Sequence, residues 1–151
     1  MAVLTRKSKY GLKALLLLAR EHGRGPVQAS ELAGREGIPE KFLQAILLDL
    51  TRRGIVQSKR GQGGGYQLAR DPAGVSFGEV IRVLEGPLAL TPCVSQTAYR
   101  PCDECADERS CGIRLVMRDV RDHTARILEG ASLASVNRSV DRLPRRGRKA
   151  R

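Results

Sequence analysis

Apolar residues recur at helical spacing through the first third of the chain. From Thr5 to Arg20, Tyr10, Leu12, Ala14, Leu15, Leu17, Leu18 and Ala19 make a wide apolar face and Arg6, Lys7, Lys9 and Lys13 a basic one, which predicts an amphipathic helix. His22-Gly23-Arg24-Gly25-Pro26 breaks that pattern. A short second helix is expected over Gln28 to Glu36, with Leu32 and Ala33 inward. Gly37-Ile38-Pro39 then makes a tight turn, and Glu40 to Arg53 forms a third helix closed by Gly54 at C′. This succession has helix-turn-helix spacing.

At about 100° per residue, Leu43, Ile46, Leu47 and Leu50 share one side of the third helix, and Lys41, Gln44, Ala45, Leu48 and Arg52 share the other. The outer stripe is free to face a DNA groove. Lysine suits guanine, glutamine suits adenine, and the small Ala45 permits close approach or touches a thymine methyl. Leu48 is out of place on a face given wholly to solvent. Taken alone, the stripe is also that of an ordinary amphipathic helix with a polar exterior.

The segment just after this helix shifts the balance toward DNA. Val56 to Leu68 reads VQSKRGQGGGYQL, two short runs held apart by Lys59, Arg60 and the glycines Gly61, Gly63, Gly64 and Gly65, ending in Tyr66. Glycine allows positive φ and close backbone approach, and the Lys-Arg pair draws a hairpin toward a polyanion. The hairpin looks like the wing of a winged-helix DNA reader. Asp71-Pro72-Ala73-Gly74 ends it. Ser76 then precedes a helix from Phe77 to Glu85, with Glu79 as capping-box partner, and Gly86-Pro87 closes that helix.

A longer helix is expected from Ile113 to Leu128. Ile113, Val116, Met117, Val120, Thr124, Ile127 and Leu128 form its stripe, with Arg114, Arg118, Arg121, Asp122 and Arg126 outside. Such a stripe can pair with its own copy, giving a two-fold homodimer that presents two reading heads to a near-palindromic site; packing back on its own domain is the alternative. After Leu133 the helical pattern fades. Arg142 to Arg151 holds six basic residues and no acidic one, and reads as a disordered tail.

Charge sharpens the picture. The chain of 151 residues has a net charge of +11, unevenly placed. Basic and acidic residues number 13 and 5 up to Arg70, 3 and 7 from Asp71 to Cys111, and 11 and 4 beyond. The first basic block favours a nucleic-acid partner. Three Tyr, two Phe and no Trp provide poorly for stacking on single-stranded bases, so duplex DNA is the expected partner. The apolar stretch Ala14 to Ala19 is too short for a signal peptide, and no segment is long enough to span a bilayer; a cytoplasmic, membrane-independent protein is expected.

Between the two basic blocks lie all four cysteines, Cys93, Cys102, Cys105 and Cys111. In a reducing compartment such a cluster suggests metal ligands or sensors rather than structural disulfides. Four thiolates suit an iron–sulfur cluster, of the 2Fe–2S or 4Fe–4S type, or a tetrahedral zinc; a metal-free thiol sensor is the third possibility. Asp103, Glu104, Asp107 and Glu108 surround the thiols and would lower a cluster's potential, or simply keep the loop solvated. An enzyme is the competing class. Its case is poor, since His22 and His123 are the only histidines, both expected on the surface, and no phosphate-cradling loop, nucleotide fingerprint or nucleophile elbow occurs.

The segments LTRKSKYGLKALLLLA, GIPEKFLQAILLDLTRRGIVQSKRGQGGGYQLAR and GEVIRVLEGPL, followed by cysteines and a long helix, resemble the Rrf-type, IscR-like family of dimeric bacterial transcription regulators. The resemblance runs from about Leu4 to Leu133. It implies a mainly α fold with a small β-hairpin, and with the residue pattern it divides the chain into a winged helix-turn-helix domain over 1–86, a cysteine-rich sensor loop over 87–111, a dimerisation helix region over 112–134 and, beyond the stretch that carries the resemblance, a basic, disordered tail over 135–151. It implies DNA contacts at Lys41 and Gln44 and at Arg60 with its neighbouring glycines, the family's wing arginine entering the minor groove. Gln44 stands where well-known members often carry Glu, so the preferred operator is expected to differ. In many members three cysteines and a variable fourth ligand hold an iron–sulfur cluster. Cys111 and Cys105 match that spacing with Cys93 as the outer member. Ligands used by some relatives correspond here to Arg114 and Lys9, neither of which binds iron, which leaves Cys102 as the candidate fourth ligand.

Overall fold

The computed structural model describes residues 4–144. Six helices and one two-stranded antiparallel hairpin follow in the order α1 (Arg6–Arg20), α2 (Ala29–Glu36), α3 (Glu40–Arg52), β1 (Val56–Lys59), β2 (Gly65–Leu68), α4 (Phe77–Glu85), α5 (Gly112–Gly130) and α6 (Leu133–Asp141). Single 3₁₀ turns lie at Pro72–Gly74, Pro92–Val94 and Glu108–Ser110. The mainly α architecture with a small hairpin is as the hydrophobic pattern predicts.

Local chemistry sets the boundaries. Thr5 Oγ1 accepts from the Ser8 amide at 3.2 Å to start α1, and Ser76 Oγ accepts from the Glu79 amide at 3.2 Å to start α4. Gly54, at φ 70°, ends α3 while the Ile55 amide donates back to Leu50 O at 3.0 Å. The apolar sides of α1, α3 and α4 meet in one core. Leu15, Leu18, Leu43, Ile46, Leu47 and Leu50 are almost wholly buried there, each contributing about 1.5–3 kcal/mol. A Cβ at Gly11 would stand 2.5 Å from Leu84 Cδ1, so α1 and α4 approach more closely than a larger residue allows.

Three features depart from the sequence reading. Val27, just before α2, pairs with Tyr66 through two backbone hydrogen bonds of 2.8 Å, an isolated antiparallel rung that lays a third segment against the free edge of β2. The segment after Leu133, read as losing its pattern, instead forms α6. Ser132 Oγ caps it by accepting from the Ser135 amide at 3.0 Å, Leu133 is fully buried, and Asn137 Nδ2 donates to Leu16 O at 3.0 Å. Arg20 of α1 closes the contact with a two-bond ion pair to Asp141. The disordered-tail reading therefore fails over α6, because few but specific polar contacts replace a long apolar stripe; the part of the tail from 145 onward lies outside the described residues.

The third departure concerns α5. Arg121, expected outside, turns inward: its side chain is 15% exposed and its guanidinium donates to Val94 O at 2.5 Å and to the Asp122 carboxylate. Ala125 and Leu128 pack inward on the same side. The domain therefore holds α5 by its Arg121–Ala125–Leu128 side, and the apolar stripe of Ile113, Val116, Val120 and Ile127 is left facing solvent.

Candidate nucleic-acid interface and cysteine loop

The outer stripe of α3 is open along its length. Lys41, Gln44, Ala45, Leu48 and Arg52 are all exposed, opposite the buried Leu43, Ile46, Leu47 and Leu50. Gln44 Nε2 donates to Glu40 Oε1 at 3.4 Å, a long bond that a better partner can displace. Behind the stripe, Phe42 meets the Tyr10 ring edge-to-face at 5.7 Å, and Lys7 Nζ bonds Asp49 Oδ2 at 2.8 Å. The Lys7 hydrogen bond holds the Asp49 carboxyl below the usual carboxylate range. Both contacts tie α3 to α1 and fix the orientation of the stripe.

In the hairpin, Val56 pairs with Leu68, Gln57 with Gln67, Ser58 with Tyr66 and Lys59 with Gly65. Lys59, Arg60, Gly61 and Gly63 are exposed at its end. The glycines divide into two kinds. Gly61 and Gly63 have φ of 92° and 73° with open space around them, as a projecting loop requires. Gly64 and Gly65 serve the fold itself: a Cβ at Gly64 would lie 2.3 Å from Lys59 O, and one at Gly65, where φ is 144°, would lie 2.4 Å from Val27 O. Tyr66 is half-buried against the core. Thus Lys59, Arg60, Gly61 and Gly63 form the exposed wing tip, whereas Gly64, Gly65 and Tyr66 anchor it.

The cysteines are divided too. Cys93 is buried in the 3₁₀ turn Pro92–Val94, its thiol donating to Thr91 Oγ1 at 3.6 Å. Cys102 is exposed, and its carbonyl accepts from the Cys105 amide at 3.2 Å. Partial desolvation, then the nearby Cys111 and Cys102 and a hydrogen bond to Cys111, push the Cys105 thiol above its ordinary range. Cys111 caps α5, its Sγ accepting from the Arg114 amide at 3.4 Å. Cys105 therefore meets Cys111 at the start of α5, and Cys102 is joined to Cys105 through the backbone. The Tyr99 hydroxyl donates to Glu108 Oε1 at 2.5 Å and is pushed up chiefly by that bond.

No three His, Cys, Asp or Glu side chains among the described residues are gathered into a ready-made metal cage. The donor chemistry nevertheless fits a thiolate-bound group. Soft sulfur donors share this loop, with Cys105 hydrogen-bonded to Cys111 and Cys102 tied to Cys105 through the backbone, and the Arg114 amide donates to Cys111 Sγ while the buried Arg114 Nε, without a hydrogen-bond partner, lies 3.6 Å from Glu108 Oε2. Lys9 is exposed on α1, and the Arg114 guanidinium is engaged with Glu108; neither is a ligand.

Residues 4–139 match the family model for Rrf2, described as an iron-dependent transcriptional regulator. The chain belongs to the Rrf2 family. Among Rrf2 relatives, an rrf2-like HTH-type transcriptional regulator of Rhodobacter capsulatus is 50% identical over 121 residues, covering 78% of this chain and 81% of that one. CymR of Bacillus subtilis is 30% identical over 91% of each chain. Its solved structure, described as that of the global cysteine regulator, superposes with a TM-score of 0.76 at 27% identity over 92% of this chain and 98% of the other. The structure of T. potens IscR gives 0.74 at 27% identity over 95% and 93%. These Rrf2 relatives are transcriptional regulators rather than enzymes, and the protein is a DNA-binding regulator with their winged-helix fold. No helix among the described residues is long and apolar enough to cross a membrane.

Proposed function

We propose that this protein is a sequence-specific regulator that works in the cytoplasm as a homodimer on a near-palindromic duplex operator, its grip tuned by a centre built on the cysteine loop. The observation that carries the reading is the joint exposure of the α3 stripe and the Lys59–Arg60 wing tip, each anchored from behind by the core. Lys41, Gln44 and Ala45 lie toward the N-terminal half of α3 and are assigned to base edges in the major groove. Arg60 and Lys59, with Gly61 and Gly63, are assigned to the backbone and adjoining minor groove. Gly64, Gly65 and Tyr66 support that grip from within.

The exposed apolar stripe of α5 supports the homodimer. Ile113 and Ile127 are 69% and 70% exposed, and a second copy of the helix would cover the stripe they share with Val116 and Val120. Cys93, Cys105 and Cys111, with Cys102 as fourth, are the residues that would hold an iron–sulfur cluster. Bound there, such a cluster supplies a redox-active, oxidant-labile centre. Cys111 links that centre to the dimer helix because the same sulfur caps the first turn of α5. A zinc-held or metal-free thiol centre is the second reading, favoured by the burial of Cys93 while Cys102 is exposed.

Two experiments test these assignments. Selection from a random duplex library with the purified full chain is expected to enrich one two-fold-related sequence; an unenriched library contradicts the DNA assignment. Protein purified without oxygen is expected to be coloured, with iron and acid-labile sulfide bound and colour lost in Cys105→Ala; colourless protein carrying one zinc per chain, or no metal, decides for the second reading.

A further inference from the structure

Leu48 is 48% exposed on the outer stripe of α3 and is not among the buried residues by which that helix joins the core. Its position is what makes it informative. At about 100° per residue it lies within about 40° of Lys41, Gln44 and Arg52, one turn beyond Gln44 and two beyond Lys41. The stripe is thus cationic at its two ends and apolar at its centre, where Leu48 adjoins Ala45. Arg52, at the C-terminal end, would meet phosphate, whereas Lys41 and Gln44 reach the base edges assigned to them above. The centre of a helix laid in the major groove meets the groove floor, where the one apolar group that duplex DNA offers is the C5 methyl of thymine.

From this placement we infer that Leu48 is a specificity-determining residue that reads a thymine methyl in the operator, an inference resting on the DNA-reading role proposed for α3. A single leucine flanked by Lys41, Gln44 and Arg52 is too small and too polar in its surroundings for a protein-binding patch, unlike the continuous stripe on α5. It is well matched to one methyl group. Ala45, on the same side but with only a Cβ, reaches less far and sets how closely the helix backbone can approach.

The test uses the site enriched from a random duplex library and replaces each thymine in turn by deoxyuridine, which removes only the methyl. At one position per half-site the wild-type protein is expected to bind uracil DNA about fourfold more weakly per methyl removed. Leu48→Ala should bind thymine DNA as weakly as the wild type binds uracil DNA and should not distinguish the two, while Leu48→Met keeps most of the discrimination. Because the side chain already faces water, both variants should unfold at the wild-type temperature. An enriched site indifferent to every thymine methyl overturns the inference alone. So does Leu48→Ala with full methyl sensitivity, or with an equal loss on thymine, uracil and unrelated duplexes. A library that enriches nothing overturns both this inference and the reading beneath it.

Discussion

Gln44 offers a test of base reading at the scale of a single functional group. Its amide can donate and accept, as adenine's major-groove edge requires, whereas a carboxylate in its place only accepts and repels phosphate. Gln44→Glu is therefore expected to move the preferred base from adenine toward cytosine at one position in each half-site, read by repeating the selection with the variant; an unchanged site would remove Gln44 from base contact. Arg60 tests the grip on the backbone and minor groove. Exposed at the wing tip, it should contribute charge rather than stability. Arg60→Ala is expected to weaken operator binding about tenfold and to flatten the dependence of log affinity on log salt by about 0.9 for each phosphate no longer neutralised, with unchanged thermal unfolding. Both side chains were legible in the sequence because helical angle and a Lys-Arg-Gly run place them without reference to distant contacts. Arg121 was not. Its charge argues for solvent, and it takes the Val94 carbonyl, brought to it by the 3₁₀ turn Pro92–Val94, together with the Asp122 carboxylate to make an inward position favourable.

Among the elements, the wing depends on Gly65 more than its remoteness from the tip suggests. Any side chain there would meet Val27 O at an impossible distance while holding φ at 144°. Gly65→Ala is expected to destabilise the protein by about 2 kcal/mol or more, whereas Gly63→Ala should cost about 1 kcal/mol, measured by denaturant unfolding. The Val27–Tyr66 rung behind this effect left no trace in the pattern, because one residue pair has no periodicity. α6 left a fainter trace: Ser132 followed by Leu133 and Val136 has the form of a cap before an amphipathic turn, but nine residues with one fully buried leucine are too few for a strong pattern. At α5 the cap is a cysteine, so ligand and capping roles can be separated. Cys111→Ser should retain most of the capping stability that Cys111→Ala loses, about 1 kcal/mol, while both abolish any metal-dependent colour. Equal stability of the two variants would show that the sulfur does not cap the helix.

For the whole molecule, the decisive asymmetry is in α5, which turns a mixed face inward and its cleanest apolar stripe outward. The sequence made the stripe visible but not its direction, which depends on Arg121, Ala125 and Leu128 meeting the core. Since Ile127 is exposed in the single chain, Ile127→Asp should fold normally yet sediment as a monomer and lose the cooperative part of operator binding; a variant that remains dimeric would place the subunit contact elsewhere. The cysteine loop lies in sequence between this helix and the reading head. A change at Cys111 therefore reaches the first turn of α5 directly, a short route from thiol chemistry to the spacing of two heads. Chemical footprinting of the full-length protein on its selected operator tests the central claim most directly. Two protected patches related by a two-fold axis are predicted, with minor-groove protection lost in Arg60→Ala and guanine N7 protection in the major groove retained. Uniform protection without sequence register, or a pattern unaltered by removing Arg60, would contradict the account.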